Sequence, residues 1–309
     1  MANFARIKSH IEQLEPMITQ LVATLKATPD DFALKLELSS LENQINDLRE
    51  QLYRENLKRE KEIIELRLLG QRANFGSIPL EFVGGITNNL SSAIISTSKF
   101  KKFGGKGGKK RDRIIQDTVD LRLEGIGRGS TIFYLSGQTS PDLFGNSIIQ
   151  DTLKNTFELF HSQNPDELID RIGAVGVGSV KYISKFLSEL SKDDLDIDLK
   201  WLSPDNQEYL WEGRKDNITR LFNSLNQIII SQPVDNDFEG ELITISSKGK
   251  FEVLTPENTH LFGQFSNDLL EKMKEFHIGD YCKGIITKTA IYNPLTDKEK
   301  IEYNLKTIE

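Results

Sequence analysis

The chain has 309 residues, of which 38% are hydrophobic and 28% charged, with a formal net charge of −7. That length suits roughly two domains, and with no run of about 18 apolar residues a membrane-spanning helix is excluded. The single cysteine, Cys282, excludes an internal disulfide and makes a reducing cytoplasm the expected location.

The first residues, MANFARIKSHIEQLEP, are broken by charges and lack the apolar centre of a signal peptide. Apolar residues Phe4, Ile7, Ile11, Leu14, Ile18, Leu21 and Leu25 alternate spacings of three and four, which is a heptad seam. Thr28-Pro29-Asp30-Asp31 then reads as a helix start, with Thr28 as cap and Pro29 in the first turn. A second seam follows at Leu34, Leu38, Leu41, Ile45, Leu48 and Leu52. Two seams joined by a short turn predict an antiparallel helical hairpin, a coiled coil, over residues 1–59, with Pro16 kinking its first helix. An isolated pair with narrow seams leaves apolar edge uncovered, so this arm is expected to associate with a second copy or a partner protein rather than only pack on the rest of the chain.

Residues 60–232 read as a mixed α/β unit. Ile64, Leu66 and Leu68 alternate with charged residues as in a strand, and a helical stretch spans 78–98. Val119, Leu121 and Leu123 alternate again, Gly125 to Gly129 offers a turn, and 130–136 returns as a hairpin strand. ELRLLG at 65–70 and DLRLEG at 120–125 look alike, which half-buried strand composition explains as well as duplication does. Further helices are predicted at 145–162, around Val180 to Leu190 and at 218–229, with a strand at 195–201. Strands mixed with helices on one side imply an α+β layer rather than a doubly wound parallel sheet.

After the polar linker Ser231 to Asp237, residues 233–309 show strands at 238–245, 250–255, 259–265, 281–291 and 301–308, with a short helix at 267–276. Three strands, a helix and two strands resemble the OB-fold order, and an SH3-like barrel is the competing assignment. Phe251, Phe262 and Phe265 are available either to stack bases or to fill the barrel. Residues 235–309 hold 14 acids and 9 lysines, a balance of −5, which disfavours nucleic acid there.

Residues 99–113, KFKKFGGKGGKKRDR, hold eight bases, Lys99, Lys101, Lys102, Lys106, Lys109, Lys110, Arg111 and Arg113, against Asp112 alone. The segment is thus +7, and the rest of the chain sums to −7 − 7 = −14. Its glycines predict a mobile tether that attracts phosphates by counterion release, with Phe100 and Phe103 available to stack on unpaired bases. Docking of an acidic protein, or a passive solvated connector, are the other readings. The tract lacks the G-x-x-x-x-G-K-[ST] spacing and precedes a strand instead of following one, which excludes a P-loop. Gly173 to Ser179 opens a helix and reads as a tight turn, with anion binding at the helix start as the alternative.

His10, His161, His260 and His277 are not at metal-ligand spacing, no G-x-S-x-G elbow occurs, and neither catalytic residues nor a cofactor or metal site are assigned. Cys282 reads as a small buried hydrophobe.

The segments IIELRLLG, GSIPLEFVGGITNNL, VDLRLEGIGRGSTIFYLSG and SPDLFGNSIIQDTLKNTFELF, followed by a small C-terminal barrel, resemble uncharacterised bacterial α/β proteins found near antiviral defence genes. The resemblance covers residues 60–309 and implies a defence setting without transferable catalytic residues. The sequence therefore reads as a non-catalytic assembly or adaptor protein, with an associating arm and a basic segment for nucleic acid. The alternatives are a metal-dependent nuclease, resting on abundant carboxylates, and a nucleotide-sensing regulatory subunit, resting on the helix start after Gly178.

Overall fold

A computed structural model describes residues 2–57, 60–76, 78–104, 108–127, 131–140, 147–246 and 249–309. Among the described residues it is a mixed α+β structure of nine α-helices and eleven strands. Helices α1 (Ala2–Ala27) and α2 (Phe32–Leu57) lie against each other, and α1 continues through Pro16. Ile7, Ile11, Leu14 and Ile45 are buried, and Arg49 reaches Glu15 at 3.0 Å. The cap of α2 is Asp31, not Thr28. Its Oδ1 accepts from the Ala33 and Leu34 amides at 2.9 and 3.1 Å, whereas Thr28 donates back to the Thr24 carbonyl.

The central unit contains β1 (Lys61–Leu69), α3 (Leu80–Phe103), α4 (Lys109–Val119), β2 (Arg122–Gly127), β3 (Thr131–Gln138), α5 (Ile148–Phe160), α6 (Pro165–Val175), α7 (Val177–Lys192), β4 (Asp196–Leu202), β5 (Glu208–Gly213) and α8 (Lys215–Gln227). Its sheet runs β2-β3-β1-β4-β5 and is antiparallel throughout. Alternation places Ile64, Leu66 and Leu68 on the covered face, where Leu66 stands opposite Phe133 and Leu199 on its two neighbours. Each such side chain contributes roughly 1.5–3 kcal/mol on burial. They join Ile86, Leu90 and Ile94 of α3 and Ile183, Phe186 and Leu187 of α7 in one core. The other face carries ion pairs such as Arg214–Asp198 at 2.7 Å and Lys200–Glu208 at 2.8 Å.

One acid breaks the apolar alternation of β1. Glu62 is fully buried, and it accepts from Trp201 Nε1 at 2.7 Å and Gln150 Nε2 at 2.8 Å. Phe157, Trp201 and Tyr209 cluster beside it, and Phe160 stacks on Trp211 at 4.4 Å.

A two-residue strand, β6 (Ile229–Ile230), leads into the C-terminal barrel of β7 (Val234–Ser246), β8 (Lys250–Leu254), β9 (His260–Phe265), α9 (Leu270–Met273), β10 (Tyr281–Asn293) and β11 (Lys298–Ile308). Five strands close in the order β7-β8-β9-β11-β10 and back to β7, with β9 and β11 parallel. Cys282 is buried in the barrel core, where burial pushes its thiol up, assisted by Asp280. Among the described residues no helix is long and apolar enough to cross a membrane.

The barrel docks on the central unit through β10 and β11. Ile291 belongs to the central core while Ile286 belongs to the barrel core, and β6 pairs with β10 at Ile291 and Tyr292. Lys300 bridges Asp170 of α6 and Glu302 at 2.7 and 2.8 Å. The Glu302 carboxylate lies on α6 at Gly173, where an added Cβ would come within 2.2 Å of its Oε1. Gly173→Ala is expected to cost about 1–3 kcal/mol by displacing Glu302. In a Glu302→Ala background the same change should become neutral or stabilising by up to about 1 kcal/mol, since alanine favours helix over glycine. Urea unfolding of the four proteins in this cycle checks both signs.

Candidate functional site

The described residues of the basic segment belong to helices and their caps, not to a tether. Residues 99–103 finish α3 and residues 109–113 begin α4. Gly104 ends α3 with φ +60°, its amide donating to the Phe100 carbonyl at 2.8 Å, and Gly108 at φ +136° precedes α4. These glycines serve helix ends. Lys106 lies outside the described residues.

The charges of the segment divide by position. Lys99 is tied to Asp112 across the junction. Lys102 and Arg111 lie 5.9 and 5.6 Å from the Phe103 ring, which is 8% exposed and belongs to the core. Phe103 therefore packs under cations instead of presenting a free stacking face. Phe100 is half-buried against Gly176, whose φ of +83° and lack of a Cβ admit the ring. The turn read at Gly173 to Ser179 joins α6 to α7, with Gly176 at its centre. Lys109, Lys110 and Arg113 are exposed, and Arg113 is only loosely paired with Asp117 at 3.8 Å.

Lys101 faces inward. Burial lowers its ammonium below the ordinary lysine value, opposed by Asp151, Glu158 and Glu302 and reinforced by Lys250 of β8. The end of α3 abuts the barrel at Gly104. A Cβ at Gly104 would sit 3.6 Å from Ser266, just past β9.

The neighbouring β8–β9 face carries an aromatic that alternation turns outward. Phe251 and Phe265 are buried in the barrel, while Phe262 is 63% exposed. Phe262 is opposite Glu252, and its ring stacks on His260 at 5.8 Å with 15° between planes. His260 Nδ1 meets Glu252 at 2.7 Å, and Thr244 donates to the other oxygen of that carboxylate at 3.0 Å.

In the arm, Ile18, Leu21, Leu25, Leu34, Leu38, Leu41 and Leu48 are half-exposed, and the side chains of Phe4 and Leu52 lie outside the described residues. Phe32 and Leu36, at 77% and 62% exposure, are apolar residues outside the predicted seams. His161 places Nδ1 2.7 Å from the Phe157 carbonyl oxygen and Nε2 2.8 Å from that of Leu210. Among the described residues no three His, Cys, Asp or Glu side chains converge as metal ligands.

Comparison with protein-family models, curated proteins and solved structures found no match.

The unfolded chain holds the Lys101 proton to higher pH than the folded chain does, so stability rises with pH between the lowered value and the ordinary one. Lys101→Met is expected to remove this contribution. The gain in urea-unfolding stability between neutral pH and about pH 10 should be smaller in the variant than in the wild type. An unchanged pH slope in the variant would contradict the assignment.

Proposed function

We propose that this chain is a non-catalytic assembly protein that holds single-stranded nucleic acid on a surface running from the α3–α4 junction onto the β8–β9 face of the barrel. The observation that carries the reading is the adjacency of these two features at Gly104 and Ser266. The barrel is acidic overall and offers an exposed ring. The junction adds the exposed cations Lys109, Lys110 and Arg113 to a barrel whose own charge is net negative. Phosphates on the junction and a base on Phe262 together make the kind of site that binds unpaired strands without sequence preference.

The closure order of the barrel, with a short helix between its third and fourth strands, favours the OB reading over the SH3-like one. In that fold the second and third strands form the oligonucleotide face, and here they are β8 and β9. The arm is read as a coiled coil joining two copies of the chain, supported by the half-exposed leucines of both helices and by Phe32 and Leu36. A role in bacterial antiviral defence rests on the resemblance of residues 60–309 alone.

Fluorescence anisotropy with labelled single-stranded DNA and RNA tests the nucleic-acid surface. Phe262→Ala should weaken binding by 1–3 kcal/mol, or about 5- to 150-fold. Changing Lys109, Lys110 and Arg113 to serine should weaken it further and reduce the dependence of log affinity on log salt by about 2. A wild type that ignores both nucleic acids at low salt would refute the reading. In light scattering the wild type should be larger than a monomer, and the Phe32→Ser, Leu36→Ser double variant should dissociate. A monomeric wild type would refute the role given to the arm.

A further inference from the structure

A second site lies where the central unit meets the barrel. Along β10, Thr287, Thr289 and Ile291 share the strand face turned toward the central unit, because Ile291 is buried in the central core. On β11, Asn304 stands opposite Thr287, and it shares a face with Glu302, which touches α6. Between this floor and the facing sides of α3 and α7 is a cavity of about 470 Å³, within the size range of small-molecule sites.

We infer that this crevice binds a small phosphate-bearing molecule of nucleotide size. The first support is the charge of its lining. Lys99, Lys181 and Lys306 line it, and no carboxylate does, although the chain holds 46 acids against 39 lysines and arginines. A larger cavity on the barrel, about 720 Å³, is lined by Asp237, Glu239, Glu257 and Glu309 against Lys283 and Lys288. The crevice lining itself is richer in cations than that of the larger cavity, although a carboxylate borders it, Asp235 accepting from the Thr287 hydroxyl at 2.7 Å. Lys99 and Lys306 are held by Asp112 and Asp235. Lys181 has no ion-pair partner among the described residues, and its ammonium lies 4.7 Å from the Tyr182 ring.

The second support is polar side chains without partners. Thr289 is 4% exposed and lines the cavity, and its hydroxyl makes no hydrogen bond among the described residues. The Asn304 amide and the Ser96 hydroxyl, also in the lining, have none either. The Thr289 residue is buried while its hydroxyl opens onto the cavity, where a bound ligand would pair with it.

These features are arranged around the start of α7, a helix of 16 residues whose first-turn amides carry its positive end. Val177 and Gly178 form that part of the wall, and Gly178 lies beside Ser96, its absent Cβ position 3.4 Å from the Ser96 hydroxyl. Phosphate is assigned to this end, between Lys99 and Lys181. The apolar body of the ligand is assigned to Phe100 and Tyr182, with its polar edge on Thr289 and Asn304. Both units of the protein would touch one molecule, so occupancy would also tighten the docking of the barrel.

The site is separate from the proposed nucleic-acid surface, and the test is chosen to keep the two apart. Full-length protein is titrated with pyrophosphate, AMP and ATP by calorimetry, and its thermal unfolding is followed with each compound at millimolar concentration. At least one compound should raise the melting temperature. Lys181→Ala, an exposed position, and Thr289→Val, which keeps the shape, should each weaken its binding about tenfold. The Lys109→Ser, Lys110→Ser variant should bind it as the wild type does. Preference for AMP or ATP over pyrophosphate would support a ring on Phe100 and Tyr182, while equal affinity would support a bare phosphate compound in the same place. The inference is overturned if no compound shifts the melting temperature, or if binding survives both crevice variants and is lost in the junction variant.

Discussion

One strand, β10, is buried on both faces, and the arrangement of the barrel on the central sheet depends on it. Its even-numbered residues Cys282 and Ile286 fill the barrel, while odd-numbered Ile291 fills the central core. Because alternate residues of a strand point to opposite sides, a slip of one residue would empty both cores together. A register shift against β11 at Ile285/Ile286, within the strand, and the two-residue pairing with β6 near its far end fix the register of β10. The ion pairs of Lys300 and the seat of Glu302 on Gly173 add orientation to a placement that apolar burial already dictates. The crevice follows from the same constraint, since it is the stretch of β10 and β11 that faces the central unit without being covered by it.

The distribution of charge matters more than its sum. A segment of +7 in sequence becomes, once folded, a set of cations with different surroundings. Lys99 is neutralised within the segment, Lys101 is driven inward among Asp151, Glu158 and Glu302, and Lys102 and Arg111 cover Phe103. Among the described residues, the bases of the segment left exposed are Lys109, Lys110 and Arg113 at the start of α4. Holding these cations on helices lowers the ordering entropy lost on binding compared with a free tether, at the expense of reach.

Much of the architecture was legible from periodicity alone. The heptad spacing marked both helices of the arm, and period-two alternation marked β1, β4 and the barrel strands. What escaped has identifiable causes. Residues 109–119 were hidden because six of the eleven are charged, which read as a solvated loop, yet Ile115 and Val119 form a buried stripe four residues apart. Strand β5 was missed because Glu208 and Glu212 flank a short aromatic stretch, and α6 was missed although Leu168, Ile169, Ile172 and Val175 form its buried stripe and Asn164 caps it by accepting from the Glu167 amide at 2.8 Å. For the site, sequence placed the cations but not their surroundings. That Phe103 is covered while Phe262 is exposed depends on strand parity and on what packs above, which composition does not encode. The crevice was foreshadowed only by the helix start after Gly178. Its facing walls come from α3, far back along the chain, and from β10 and β11, more than a hundred positions ahead.

Both tryptophans, Trp201 and Trp211, are locked into the aromatic layer of the central sheet, and neither the arm nor the barrel has one. Intrinsic indole emission is thus a spectroscopic reporter of the middle of the molecule alone. A melting curve recorded at that wavelength would be silent on separation of the two long helices, and far-ultraviolet dichroism at 222 nm, weighted toward helices, would register that event first. Divergence of the two optical traces would measure how independently the parts of this chain come undone.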